Sequence, residues 1–306
     1  MADALAVSPR RATSPGSGSA ARAHRLFISP TVLAVLVLGA YPLAFMIAAA
    51  VTESSLGRPF ASFTGTRNFE TVLADGDVVA SLARTVGYAL AVSVASTVLG
   101  VVVALALVNA TRAGSLVRTL LLLPMIMPPV VVGTLWKLIF NPGGGLIDAI
   151  LRGFGAEPAS FAPLSSSLWA LPAIGLADVW QWTPLVALLV YAALLTQDAS
   201  VREAAALDGA HGFAFFRHIT WPAIAGTVGA VLLIRLVIAL KVFDLVFVMT
   251  SGGPGQSTTT TSYLIHQIAL KEFDVGRASA VTLLFAVIVT AVTVPIVLLT
   301  RKAAHE

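Results

Sequence analysis

Four charged side chains stand inside apolar runs long enough to cross a bilayer: Asp178, Arg235, Lys241 and Asp244. A charge at the centre of a membrane helix costs about 2.5–3.5 kcal/mol on insertion scales, so each needs a partner or a polar task. Asp178 lies nine residues from the outer end of its run and Arg235 fourteen from the inner end of its own. At about 1.5 Å per residue in a core about 30 Å thick, the two reach similar depth and can pair. Two readings stand side by side: a buried structural ion pair, or a pair that recognises hydroxyl groups in the path of a solute. Trp182 is one helical turn from Asp178 on the same face, and Phe243 is two turns beyond Arg235. Rings that pack on C–H faces beside groups that bond hydroxyls suit a sugar, although aromatic residues in membrane helices more often pack or anchor. Lys241 and Asp244, at i and i+3, can instead neutralise each other.

Nothing in the chain supports catalysis. Its histidines (His24, His211, His218, His266 and His305) are scattered, with no metal-ligand spacing and no serine and acid at a justified distance. The absence of cysteine removes disulfides, thiolate metal sites and a thiol nucleophile. No GxxxxGK[ST] phosphate loop occurs, so this chain binds no nucleotide by that device and no cofactor is expected on it. A net charge of +4 could suggest nucleic acid, but the basic residues sit at loop ends, with no stripe and no interleaved aromatic platform.

The elements that must position the charged residues are membrane spans. With 57% hydrophobic and 11% charged residues and a mean hydropathy of +0.90, the chain is far more apolar than a soluble domain. Residues 1–25, rich in Ser, Ala, Gly and Arg, read as a disordered cytoplasmic tail. Six spans follow at about 26–51, 85–110, 116–140, 169–195, 221–249 and 278–300. Pro42 should bend the first, Pro124, Pro128 and Pro129 should break the third, and Pro172 and Pro184 should interrupt the fourth. Carbonyls freed in lipid need partners, so the third span should face protein or a wet cavity. Lys and Arg number ten in the tail, the even loops and the C-terminus, against six in the outer loops. The positive-inside rule therefore places both termini in the cytoplasm.

One polar stretch, SVREAAALDGAHGFAFFRHITWP from Ser200 to Pro222, separates the fourth and fifth runs. Ser200 and Glu203 have the spacing of a capping box, Ala204 to Leu207 propagate a helix, and Asp208-Gly209 stops it by a left-handed glycine. Phe213, Phe216 and Ile219 mark a second short turn, and Pro222 opens the next helix. Glu203-Ala204-Ala205, Gly209, Ile219 and Trp221-Pro222 resemble the EAA loop of the membrane subunits of binding-protein-dependent ABC importers. With Asp208-Gly209-Ala210 added, the stretch is most similar to the carbohydrate-uptake branch, the maltose and glycerol-3-phosphate type. Trp221 departs from the family's usual Leu, and a tryptophan is at home at a membrane interface. The segments ASFTGTRNFETVLADGD, LPMIMPPVVVGTLWKLIFNPGGGLID and VFDLVFVMTSGGPGQSTTT are similar to the same family, so the resemblance covers roughly residues 26–302.

The resemblance implies an all-α integral membrane protein of six transmembrane helices, in the fold of type I ABC importer permeases, with residues 198–220 as a cytoplasmic coupling helix pair. It implies a permease in the bacterial inner membrane that imports a sugar or sugar-like solute with a second homologous permease, two ATP-binding subunits and an extracytoplasmic solute-binding protein. ATP and Mg belong to the partner ATPases. Glu203 and Asp208 would contact the ATPase, Ala204 and Ala205 allow close approach, Gly209 make the bend, and Ala210 belong to the same coupling set. Asp178, Trp182, Arg235, Phe243 and Asp244 are the candidates for the substrate path. The alternative class is a stand-alone ion-coupled transporter, with Asp178 or Asp244 as its protonatable site; it would want internal inverted repeats, and no convincing repeat relates the two halves.

Overall fold

The computed structural model describes residues 17–109, 114–155, 157, 161–207, 209 and 211–303. Residues through Ala48 form one unit and residues from Ala49 onward a second. The first unit is nearly all of α1 (Ser17–Ala50), which runs through Pro30 and Pro42 without interruption. Ser17 to Arg25, expected within the disordered tail, belong to α1 and precede its apolar span, which starts at Phe27.

In the second unit a two-residue hairpin pairs β1 (Thr52–Glu53) with β2 (Ser62–Phe63) antiparallel. Asn68, at the start of α2 (Arg67–Ala74), donates through its amide to the carbonyls of Ala50 and Thr52, 2.9 Å each, capping the end of α1. The second span is α3 (Gly76–Asn109). The third is two helices, α4 (Gly114–Ile126) and α5 (Pro129–Ile139), meeting at 99°. Pro124 sits inside α4, so the break belongs to Pro128 and Pro129 alone: neither can donate to the ladder, and Pro129 restarts it at a position that needs no N–H. The following loop carries α6 (Leu146–Gly153) and a short 3-10 turn, Pro163–Ser165.

Helix α7 (Ala170–Leu195) is continuous, which corrects the expectation of an interrupted fourth span. Pro172 falls in its first turn, where the missing N–H costs nothing, and Pro184 is buried among neighbours. After α8 (Ala199–Leu207) and α9 (Gly212–Phe215), a π turn at Phe216–Thr220 leads straight into α10 (Trp221–Leu240). The fifth span is not one helix to Met249: it stops at Leu240 and resumes as α11 (Asp244–Met249). Two helices complete the chain, α12 (Thr261–Leu270) and α13 (Val275–Ala303). Five helices are long and apolar enough to cross a membrane, and the bent α4–α5 pair brings the number to six among the described residues.

Helices α3 and α7 form the spine, and small residues set their spacing. A Cβ at Gly100 would stand 2.5 Å from Val186 Cβ, so the backbones meet there as only glycine permits. Below them Val101, Val186, Val190, Leu194, Ile224 and Val231 close the core with α10. Apolar side chains such as Leu138 and Val287 are exposed on the outside of the bundle, as the lipid-facing side of a membrane helix would be.

Candidate functional site

Asp178 and Arg235 meet. They form an ion pair between α7 and α10, with Asp178 2% and Arg235 0% exposed. Tyr88 on α3 donates its hydroxyl to Asp178 Oδ2 at 2.7 Å, and Arg235 Nε donates to Ser96 Oγ, also on α3, at 3.1 Å. Three helices are therefore tied by one chain of polar contacts that starts and ends on α3. The Arg235 guanidinium carbon lies 5.9 Å from the Trp182 ring centroid, a cation–π contact one turn from Asp178. Tyr88 and Ser96 were not legible as site residues, because a lone tyrosine or serine in an apolar helix carries no pairing signal of its own.

Beside these contacts lies a cavity of about 200 Å³, walled by Asp178, Gln181, Trp182, Lys241, Phe243 and Asp244 among others. Arg235 stands behind the wall and touches two of its residues, Asp178 through the ion pair and Trp182 through its ring face. Gln181 Oε1 is buried with no partner among the described residues. Lys241 and Asp244 do not form an ion pair among the described residues, because the helix ends between them and the i, i+3 relation no longer holds. Lys241, the C-cap residue of α10, is exposed and lines the cavity beside Asp178. The same break re-aims Phe243, which stacks on Phe247 (5.5 Å) and meets His266 (5.2 Å) rather than packing beside Arg235.

Both breaks are chemically sealed. Gln181 Nε2 donates to the Met127 carbonyl at 3.0 Å, at the α4–α5 corner. Thr260 Oγ1 donates to the Val242 carbonyl at 3.1 Å, and Lys137 Nζ to the Val248 carbonyl at 3.0 Å. In hydrocarbon an unmet carbonyl is costly, so Gln181 and Thr260 make the two breaks tolerable, while Lys137 meets a carbonyl near the end of α11. The Ser-Gly-Gly-Pro turn is fixed likewise: Gly252 has φ +87°, and a Cβ there would lie 2.7 Å from Thr259 Oγ1 and from the Tyr263 ring.

At the other end of α10, the polar loop departs from the expected cap. Helix α8 begins at Ala199, and Asp198 accepts the Ser200 N–H at 3.0 Å. Ser200 is thus inside the first turn and cannot be the cap of a box with Glu203; an anionic oxygen at the helix's positive end takes that place. The Ser200 backbone N–H, and after it the Ser200 hydroxyl, hold the Asp198 carboxyl below the usual range. Glu203 and Ala204 are exposed, while Ala205 is buried within the chain. Gly209 has φ +74° and Gly212 φ +58°, so the corner between α8 and α9 is built on left-handed glycines. Asp208 and Ala210 lie outside the described residues.

A helical bundle with two broken helices beside a polar and aromatic cavity, and a polar helix pair at the other end of α10, is the membrane-embedded part of a transporter. The chain belongs to the family of binding-protein-dependent transport system inner membrane components, whose profile matches residues 96–305. It is a permease subunit of an ABC importer. Over 273 residues it is 32% identical to the probable ABC transporter permease protein y4oQ of Sinorhizobium fredii, covering 89% of this chain and 87% of that one. It is 32% identical over 270 residues to the trehalose/maltose transport system permease protein MalF of Thermococcus litoralis, covering 88% and 90%. A crystal structure of a bacterial ABC transporter involved in import of the acidic polysaccharide alginate has the same fold, with a TM-score of 0.78 at 21% identity over 93% of this chain and 98% of that one.

Proposed function

We propose that this permease subunit imports a sugar or sugar-like solute: an oligosaccharide, a polyol or glycerol phosphate. Relatives named for trehalose/maltose, sn-glycerol-3-phosphate and alpha-glucoside transport support that substrate class. The observation that carries the reading is the composition of the cavity. Trp182 and Phe243 offer ring faces, Asp178, Asp244 and Lys241 offer charged groups, and Gln181 has an open acceptor. A hydroxylated solute needs that combination, both donors and acceptors beside apolar faces. Arg235 serves the path at one remove, by holding Asp178.

Residues 198–220 form the coupling loop in this reading. Glu203, exposed on α8, contacts an ATPase subunit, Ala204 lets the surfaces approach, and Gly209 makes the turn; Asp208 and Ala210 belong to the same contact. A second homologous permease completes the translocation path, two ATPase subunits hold ATP and Mg, and an extracytoplasmic binding protein delivers the solute. Both termini face the cytoplasm.

The test is reconstitution of the four components in liposomes, followed by ATP-dependent uptake of radiolabelled maltose, trehalose and glycerol 3-phosphate. Uptake of one of these, lowered by Trp182→Ala with assembly intact, supports the reading. Uptake that ignores Trp182 and Asp244 removes the cavity from the path.

A further inference from the structure

We infer that the π turn Phe216–Thr220 is a register joint between the coupling loop and α10; this rests on reading residues 198–220 as the loop that contacts the ATPase. The turn lies within one unbroken helical stretch from Gly212 to Leu240. The Trp221 N–H bonds the Phe216 carbonyl, five residues back instead of four. Pro222 explains this: it has no N–H to offer the His218 carbonyl, and its ring would crowd that carbonyl in a regular helix. The widened turn relieves both problems.

What lies on either side gives the turn its consequence. Toward the membrane, α10 is pinned by Arg235, which is bonded to Asp178 and Ser96 in the core, and cannot turn about its axis without opening a buried ion pair. Toward the cytoplasm, α9 begins at the Gly212 corner, and Phe213, Ala214, Arg217 and His218 are exposed. A displacement applied at the loop is therefore absorbed where the hydrogen-bond ladder is already loosened. Pro222 disfavours the regular helix, so the π turn is the resting register and the α register is reached only under a displacement applied at the loop; closing the turn shifts the register by one residue, which rotates the loop by about 100° relative to α10. His218 Nδ1 sits 3.0 Å from the Ala214 carbonyl and holds the ring along the turn. The joint gives the loop two discrete registers on one fixed span.

The experiment compares backbone hydrogen exchange across residues 212–224 in the assembled importer, nucleotide-free and trapped with ATP and vanadate. Exchange of the amides between Phe216 and Trp221 should change by about ten-fold between the two states. In Pro222→Ala, where a donor for His218 is restored, it should be slow and equal in both. Equal exchange in the two states of the unaltered protein overturns the joint, and that comparison needs no variant to fold. Failure of the underlying loop reading is seen separately: Glu203→Lys would then retain its ATPase subunits on purification, whatever the exchange shows.

Discussion

Tyr88 on α3 donates to Asp178 Oδ2 on α7 at 2.7 Å, which leaves the other carboxylate oxygen to Arg235 on α10. Removing either charge strands the other in the core. Asp178→Ala and Arg235→Ala should each cost about 3–5 kcal/mol, and Tyr88→Phe about 1–3 kcal/mol. The double change Asp178→Asn with Arg235→Gln should recover most of the loss, since it leaves no unpaired charge. Thermal unfolding of the purified subunit checks the series, and a double variant as unstable as the singles would refute the pairing energetics.

The α3–α7 crossing depends on Gly100. A methyl there meets Val186 Cβ and Cγ1 at 2.5 Å and the Ala187 nitrogen at 3.0 Å, whereas a methyl at Gly87 on the same helix meets nothing within 4 Å. Gly100→Ala should therefore cost about 1–3 kcal/mol, while Gly87→Ala should be neutral or slightly stabilising. Equal melting temperatures for the two variants would count against so close a crossing.

Gly209 separates backbone strain from steric crowding. Its φ of +74° disfavours any side chain, yet a Cβ there would stand in open space. Gly209→Val should lose about 1–2 kcal/mol locally and uncouple uptake, whereas Gly209→Asn, which tolerates the left-handed region, should keep most of it. The readout is uptake per assembled complex; equal activity of both variants would show that the corner is not needed in this conformation.

Asp198 makes the cap of α8 pH-dependent. Its carboxyl is held below its ordinary value by hydrogen bonds from Ser200, so the ionised form is favoured in the folded helix. The stabilisation is complete above the unfolded value near about pH 3.9, and it is lost as pH falls through the lower folded value. Protection of the α8 amides, taken relative to the intrinsic exchange rate at each pH, should fall in that acid window in the native protein, and Asp198→Asn should remove that acid-dependent loss. A variant that still responds to acid there would assign the effect to another group.

Topology is checked with reporter fusions. Fusions after Lys302 and within 200–218 should report cytoplasm, and fusions near Gly65, Gly155 and Gly255 should report the outside. A fusion at Gly155 on the cytoplasmic side would mean that the bent α4–α5 pair does not cross.

The sequence by itself determined the spans, because transfer of an apolar segment into lipid depends on the segment's own composition. It also determined the left-handed stop at Gly209 and the proline break at Pro128-Pro129, since both follow from the backbone chemistry of single residues. Depth counting brought Asp178 and Arg235 together, because helix rise is fixed and both lie on long uninterrupted helices. Helical spacing failed for Lys241, Phe243 and Asp244, because the helix ends at Leu240 and spacing no longer sets direction. No local signal marks that break. It is made tolerable by the Thr260 hydroxyl bonding the Val242 carbonyl, from a segment that returns to α10 only in the folded chain. Tyr88, Ser96 and Gln181 likewise acquired their tasks from helices distant in sequence. Hydrogen-bond satisfaction in a medium without water is a property of the whole bundle, so only the tertiary structure could assign those partners.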